Sequence, residues 1–256
     1  MTTIAIAVFT CTLLVGIVAL LELGRRMGLR DLAGPLQGQS GTGAVDAAVF
    51  GLMGLLIAFT FSGAASRWEV RRTLIVQEAN AISTAYLRLD LLPSSSQTTL
   101  RDTFRRYVRS RLAIYQKIPD IDAARAELEQ SHTLQNEIWQ QAVAAAKQAD
   151  SPAVLTLVLQ PINEMIDITD TRTAALQAHL PFVIFLMLAV TVLASSMLAG
   201  YNMGGSGKRS WMHVISYALL VCSAVYLVLE LEYPRLGLVR IDGADQILAQ
   251  TLEGMK

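Results

Sequence analysis

Residues 44–92 read AVDAAVFGLMGLLIAFTFSGAASRWEVRRTLIVQEANAISTAYLRLDLL, an apolar run that turns polar without a break. No proline interrupts it, and its last glycine is Gly63. The first half, Ala44 to Ala65, is long enough to cross the hydrocarbon core of a bilayer, and nothing beyond it signals a helix stop. The stretch predicts one rod that leaves the membrane and continues into water. At a rise of about 1.5 Å per residue that rod is roughly 70 Å long.

Three further apolar runs can pack around it. Ile4 to Leu23 is uncharged until Glu22 and is expected to stop at Gly24-Arg25-Arg26, before a glycine-rich loop with Pro35. A third span is expected from Leu176 to Ala199, entered through His179 and Pro181. A fourth runs from Trp211 to Leu231 and ends in Glu230-Leu231-Glu232-Tyr233-Pro234. The totals agree, with 53% hydrophobic residues, 16% charged residues and a mean hydropathy of +0.42,. The fold class predicted is all-α: an integral membrane protein with four transmembrane helices and a helical extramembrane domain inserted between the second and third spans. The divisions expected are a transmembrane hairpin over 1–65, the helical domain over 66–175, a second hairpin over 176–231 and a tail over 232–256 carrying a short amphipathic helix.

Within the polar insert, Leu92-Pro93-Ser94-Ser95-Ser96 marks a turn. Ser96 or Thr99 can cap the helix that follows to about Ile118, and Thr99 with Asp102 has the spacing of a capping box. Asp120 or Asp122 can cap the next helix. Asp150-Ser151-Pro152 is a start signal for another, a capping residue with proline at the first helical position. Pro161 is expected to kink that helix.

Much chemistry is excluded. Lysine plus arginine and aspartate plus glutamate number 21 each, so no global field selects nucleic acid,. Cys11 and Cys222 fall in apolar runs, and His132, His179 and His213 have no ligand spacing, so neither a disulfide framework nor a metal site is expected. Glu164, Asp167 and Asp170 lack the glycine-bearing loop of a hard-cation site. No phosphate loop, dinucleotide fingerprint, nucleophile elbow or metalloprotease histidine pair is present, so the chain reads as no enzyme, without a cofactor. No secretory signal peptide is expected. The short loops carry Arg25, Arg26, Arg30, Lys208 and Arg209, against Arg67, Arg71, Arg72, Arg172, Arg235 and Arg240 on the domain side. Arg25-Arg26 directly after the first span leans the short loops inside and the helical domain outside.

Several residues on the rod are candidates for function. Gly54, Ala58, Ser62 and Ser66 recur every four residues, a small-residue stripe that lets another helix approach closely. Together with Phe59, Thr60 and Phe61 they form either a pore-lining or oligomer face, or a packing face against the first or fourth span. Arg67, Arg71 and Arg72 follow at the membrane edge, level with Glu230 and Glu232. Glu230 is expected to pair with Arg67 or Arg71, and in a symmetric oligomer the arginines would instead form an anion-attracting ring. Glu78, Asn80, Thr84 and Arg88 place polar groups on the rod's extension. Around a common axis they would line a vestibule; otherwise they bond neighbouring helices. The helix over 96–118 carries six basic residues, from Arg101 to Lys117, against one acid, and the acids of the fourth soluble helix are its expected partners.

The stretch GLMGLLIAFTFSGAASRWEVRRTLIVQEANAISTAYLRLDLLP resembles a bacterial bestrophin-like membrane-protein family of unassigned function. So do LRDTFRRYVRSRLAIY at Leu100 to Tyr115, PINEMIDITDTRTAA at Pro161 to Ala175 and LELEYPRLGLVRIDG at Leu229 to Gly243. The resemblance implies kinship with bestrophins, anion channels assembled as rings with the pore along the second span, in a bacterial inner membrane. Membrane lipid and further copies of this chain are the partners expected. Two functions follow as expectations, an oligomeric ion channel and a non-conducting membrane sensor or scaffold.

Overall fold

The computed structural model describes residues 3–32, 43–118, 120–149, 151–204, 210–234, 239 and 241–255. The glycine-rich loop with Pro35, and Asp150, Lys208, Arg209, Arg235 and Arg240 named above, lie outside them. Every regular element among the described residues is helical: α1 (Thr3–Leu32), α2 (Gly43–Leu87), a 3₁₀ turn (Arg88–Leu91), α3 (Ser94–Gln116), α4 (Ile121–Ala146), α5 (Pro152–Gln177), α6 (Phe182–Gly204), α7 (Trp211–Glu232) and α8 (Asp242–Gly254). Four helices, α1, α2, α6 and α7, carry stretches long and apolar enough to cross a membrane. The chain divides into two compact units, Met1–Trp68 with His179–Val239, and Glu69–Ala178 with Arg240–Lys256. Helix α2, 45 residues and about 67 Å long, contributes to both,.

The first unit is built on α1, which packs along α6 and α7. Leu13, Ile17 and Leu21 meet Leu188 and Val192 of α6 and Val214, Ala218 and Val225 of α7. The expected stop of the first span at Gly24 does not occur; α1 continues to Leu32. The reason is backbone proximity. A Cβ on Gly24 would lie 2.0 Å from the Met197 carbonyl oxygen, and one on Gly200 2.0 Å from that of Leu21. These glycines admit a neighbouring backbone rather than end a helix. The membrane half of α2 touches this core along one narrow side, through Met53, Leu56 and Ile57, and further on through Ala64 against Val228 and Leu231. The third span starts at Phe182, not Leu176. Pro181 disfavours helix at the residue before it, and α5 ends at Gln177,.

In the second unit α3 packs along α4, α4 against α5 and α8 against α3. Ile75, Ile82, Phe104, Val108, Leu134, Ile138, Ile162 and Met165 form its apolar core. Asp120 caps α4 by accepting from the Ala123 N–H at 3.0 Å, and Ser151 caps α5 ahead of Pro152. The capping box at Thr99 and Asp102 is not formed, because α3 starts five residues earlier with Pro93 at the N-cap. There the Gln97 side chain reaches back to the Leu92 carbonyl at 2.8 Å. Helix α5 runs through Pro161 and remains helical to Gln177. Helix α8 is anchored by buried Leu248 and by the Met255 carbonyl, which accepts from Arg105 Nε at 2.6 Å and from the Tyr86 hydroxyl at 3.2 Å.

Candidate functional site

Only 11% of the most apolar stretch of α2 is buried, against 50% for α7. Exposure extends to Leu52, Leu55 and Val70, and one set of uncovered positions is regular. Gly51, Gly54, Ala58, Ser62 and Ser66 are exposed in the membrane half, and Glu69, Thr73, Gln77, Asn80 and Thr84 beyond it. Steps of three and four residues give the α-helical period, so these positions define one face. A Cβ on Gly51 or Gly54 would meet nothing within 4 Å. Among the described residues, therefore, no helix of the same chain covers the stripe at Gly51 and Gly54, where packing against the first or fourth span was the alternative expected. Phe59 and Phe61, 68% and 41% exposed, flank Ser62. Thr60 turns the other way. It is buried, and its hydroxyl donates to the Leu56 and Ile57 carbonyls at 2.8 and 3.0 Å,.

The three arginines at the membrane edge do not act as a set. Arg71 is buried, and its Nε and Nη2 donate to the carbonyls of Ala175 and Ala178 at 3.1 and 2.8 Å. It thereby satisfies carbonyls that the C-terminus of α5 leaves open. Arg72 is exposed and lies 3.6 Å from the Glu69 carboxylate one turn earlier. Arg67 pairs with Glu232, not with Glu230. Its Nε and Nη2 approach Oε2 at 3.0 and 2.9 Å.

Glu232 is fully buried and also accepts from the Leu180 N–H at 2.8 Å, while His179 Nδ1 stands 3.4 Å from its Oε1. Glu230, equally buried, accepts from the Val239 N–H at 3.0 Å. The end of α7 is thus a two-carboxylate node inside the first unit.

Glu78 does not face solvent. In the second unit it sits at the centre of a buried charge triad, with Arg111 Nε at 2.5 Å from one oxygen and Arg172 Nη1 on the other. Burial opposes its charge, but Arg111 and Arg172 outweigh that and hold its carboxyl below the ordinary range,. The Arg172 guanidinium lies 4.1 Å from the Tyr115 ring centroid. Nearby, the buried Tyr107 hydroxyl bonds Thr169 at 3.0 Å and Gln135 at 3.2 Å, and burial pushes its pKa up to about 12. Asn80 and Thr84 are exposed on the free face, whereas Arg88 donates to the Leu157 carbonyl at 2.7 Å.

Besides Arg111, four of the basic residues over 101–117 pair with acids outside α5. Arg101 pairs with Asp90, Arg105 with Asp102, Arg106 with Glu137 and Lys117 with Glu127. Meanwhile Glu164 and Asp167 bond Gln160 and Asn163 of their own helix. Among the described residues no group of three or more His, Cys, Asp or Glu is placed to hold a metal.

Among the curated proteins compared, none matches this sequence. Solved structures do match the fold. A single-substitution variant of a bacterial bestrophin homolog from Klebsiella pneumoniae aligns with a TM-score of 0.72 at 15% identity, over 96% of this chain and 98% of that one. A second variant of the same homolog gives 0.66 at 16% identity, over 94% and 98%. The homolog solved by Zn-SAD phasing gives 0.60 at 17%, over 97% and 98%. A family model described as the Bestrophin-like domain matches residues 11–245. With its four apolar helices, free-faced α2 and helical second unit, this chain belongs to the Bestrophin-like family of membrane proteins.

Proposed function

We propose that the protein is a homo-oligomeric ion-conducting protein of the bacterial inner membrane, with its pore along the exposed face of α2. The observation that carries this reading is that face: small or hydroxyl-bearing, uncharged from Gly51 to Ser66, and exposed, with no helix of its own chain covering it among the described residues. A membrane helix with so little of its apolar stretch buried has surface left for lipid or for other copies,. Small side chains facing a common axis leave room for water and ions, and hydroxyls such as Ser62 and Ser66 can stand in for part of an ion's hydration. Anions are the class that kinship with bestrophins suggests. Arg25 and Arg26 after the first span favour short loops in the cytoplasm and the helical unit outside it.

The test is reconstitution of purified protein into planar bilayers. Currents that Ser62→Leu blocks and Thr60→Val leaves intact are the expected result. Silence of the wild-type protein across monovalent anions, cations, pH and calcium would overturn it. Exposed Phe59 and Phe61 favour a second reading, an oligomer whose axis is plugged by aromatic rings and which serves as a sensor or scaffold. It predicts stable oligomers without current.

A further inference from the structure

The chain passes from one unit to the other after Trp68, after Ala178 and after Val239. On the first unit's side of each crossing, the adjoining residues are bonded to the end of α7. Arg67 binds Glu232, the Leu180 N–H binds Glu232, and the Val239 N–H binds Glu230. Two buried carboxylates therefore gather the three segments by which the chain leaves this unit. Among the described side chains around Glu232, the imidazole of His179 is the one that changes charge near neutral pH,. Its Nδ1 stands 3.4 Å from Oε1, its ring is 37% exposed, and it stacks on Tyr233 with centroids 4.8 Å apart. The ring is thus fixed against the carboxylate and open to protons from water.

We propose that His179 is a proton-operated ligand of Glu232, which makes the α7 terminus a pH-responsive clamp on Arg67 of α2 and on the segment that enters α6. Among the described residues, Arg67 of α2 already sits on Oε2 and Tyr233 at the end of α7 stacks on the ring. The second carboxylate of that helix end, Glu230, has Tyr226 beside it, Arg71 donates to the carbonyl of Ala178, the residue before His179, and the first turn of α6, Phe182 to Phe185, brings no titratable group. Arg67 competes for the same carboxylate but holds its charge at every relevant pH, so it sets a constant background. Protonated His179 adds an imidazolium, which donates to Oε1 alongside the Leu180 N–H. Neutral His179 leaves only a dipole there. The added stabilisation is therefore present at acid pH and lost as pH rises through the titration of His179.

The clamp does not depend on conduction, and its test needs no current. Thermal midpoints of purified full-length protein in detergent are measured from pH 5.5 to 8.5 for wild type and His179→Gln. The wild type is expected to exceed the variant by about 2–4 °C at the acid end, a difference that vanishes by the alkaline end. Histidine-selective NMR on the same protein, with His179→Gln used for assignment, follows the ring itself. Its titration midpoint should fall in Glu232→Gln, while His132 and His213 are unmoved. Parallel midpoint curves for wild type and His179→Gln, or a His179 titration indifferent to Glu232→Gln, would overturn the proposal.

Discussion

Glu78 shows what a single carboxylate can hold together. It joins α2 to Arg111 of α3 and Arg172 of α5, and all three groups are buried. Replacing it with glutamine leaves two guanidinium charges without a counter-ion, so Glu78→Gln should destabilise the protein by about 3–5 kcal/mol in chemical unfolding. The pH sign follows from its depressed pKa. The stabilisation is in place above the ordinary carboxyl value of 4.5 and is lost as pH falls through the lower folded value,. Tyr107→Phe takes the acceptor from the Gln135 side-chain N–H and one bond from Thr169, which keeps its bond to the Met165 carbonyl, and should cost about 1–3 kcal/mol by the same measurement,. The identities of these residues were readable, but not their roles. Arg111 shares the heptad face of Phe104, Tyr107, Val108 and Ile114, and Arg172 that of Ile162, Met165 and Thr169. A charge on an apolar stripe signals a buried ion pair. Net charge along α3 hides that signal, since it counts buried and exposed arginines alike.

At the scale of the element, α2 was legible from its lack of breakers, and the structure shortens the rod only where winding tightens at Arg88. Which neighbour its small residues face could not be read from spacing, because a stripe of glycine and serine serves any close contact. The same ambiguity made Gly24 look like a stop, although it and Gly200 are sites of backbone contact between α1 and α6. The two kinds of glycine should respond oppositely to enlargement. Gly200→Leu should sharply lower the yield of folded protein in detergent, since the Leu21 backbone cannot move out of its way. Gly54→Leu should leave the unfolding midpoint of a single chain within about 0.5 kcal/mol, the range of a site that touches nothing. Any loss it causes should appear in assembly, read by light scattering.

For the whole molecule, the count and order of helices were apparent from hydropathy and capping, while helix pairing was not. Sequence neighbours suggest a hairpin of α1 with α2, yet α1 packs along α6 and α7, and α2 is left largely uncovered. If copies assemble through that surface, cysteines on it should cross-link between chains. With Cys11 and Cys222 replaced by serine, oxidation of Ser62→Cys or Asn80→Cys in membranes is expected to yield covalent dimers. Thr60→Cys, turned into its own chain, should yield none. The glycine contact between α1 and α6 also carries a consequence for biogenesis. Leu32 and Phe182 are 150 residues apart. At a synthesis rate of about 5–20 residues per second, α1 waits roughly 8–30 s in the bilayer before its partner leaves the ribosome. During that interval its glycine-lined face lies bare to lipid and to any helix that passes. A chaperone or insertase that shields a nascent first span would therefore matter more to this fold than to one whose first two spans pair at once.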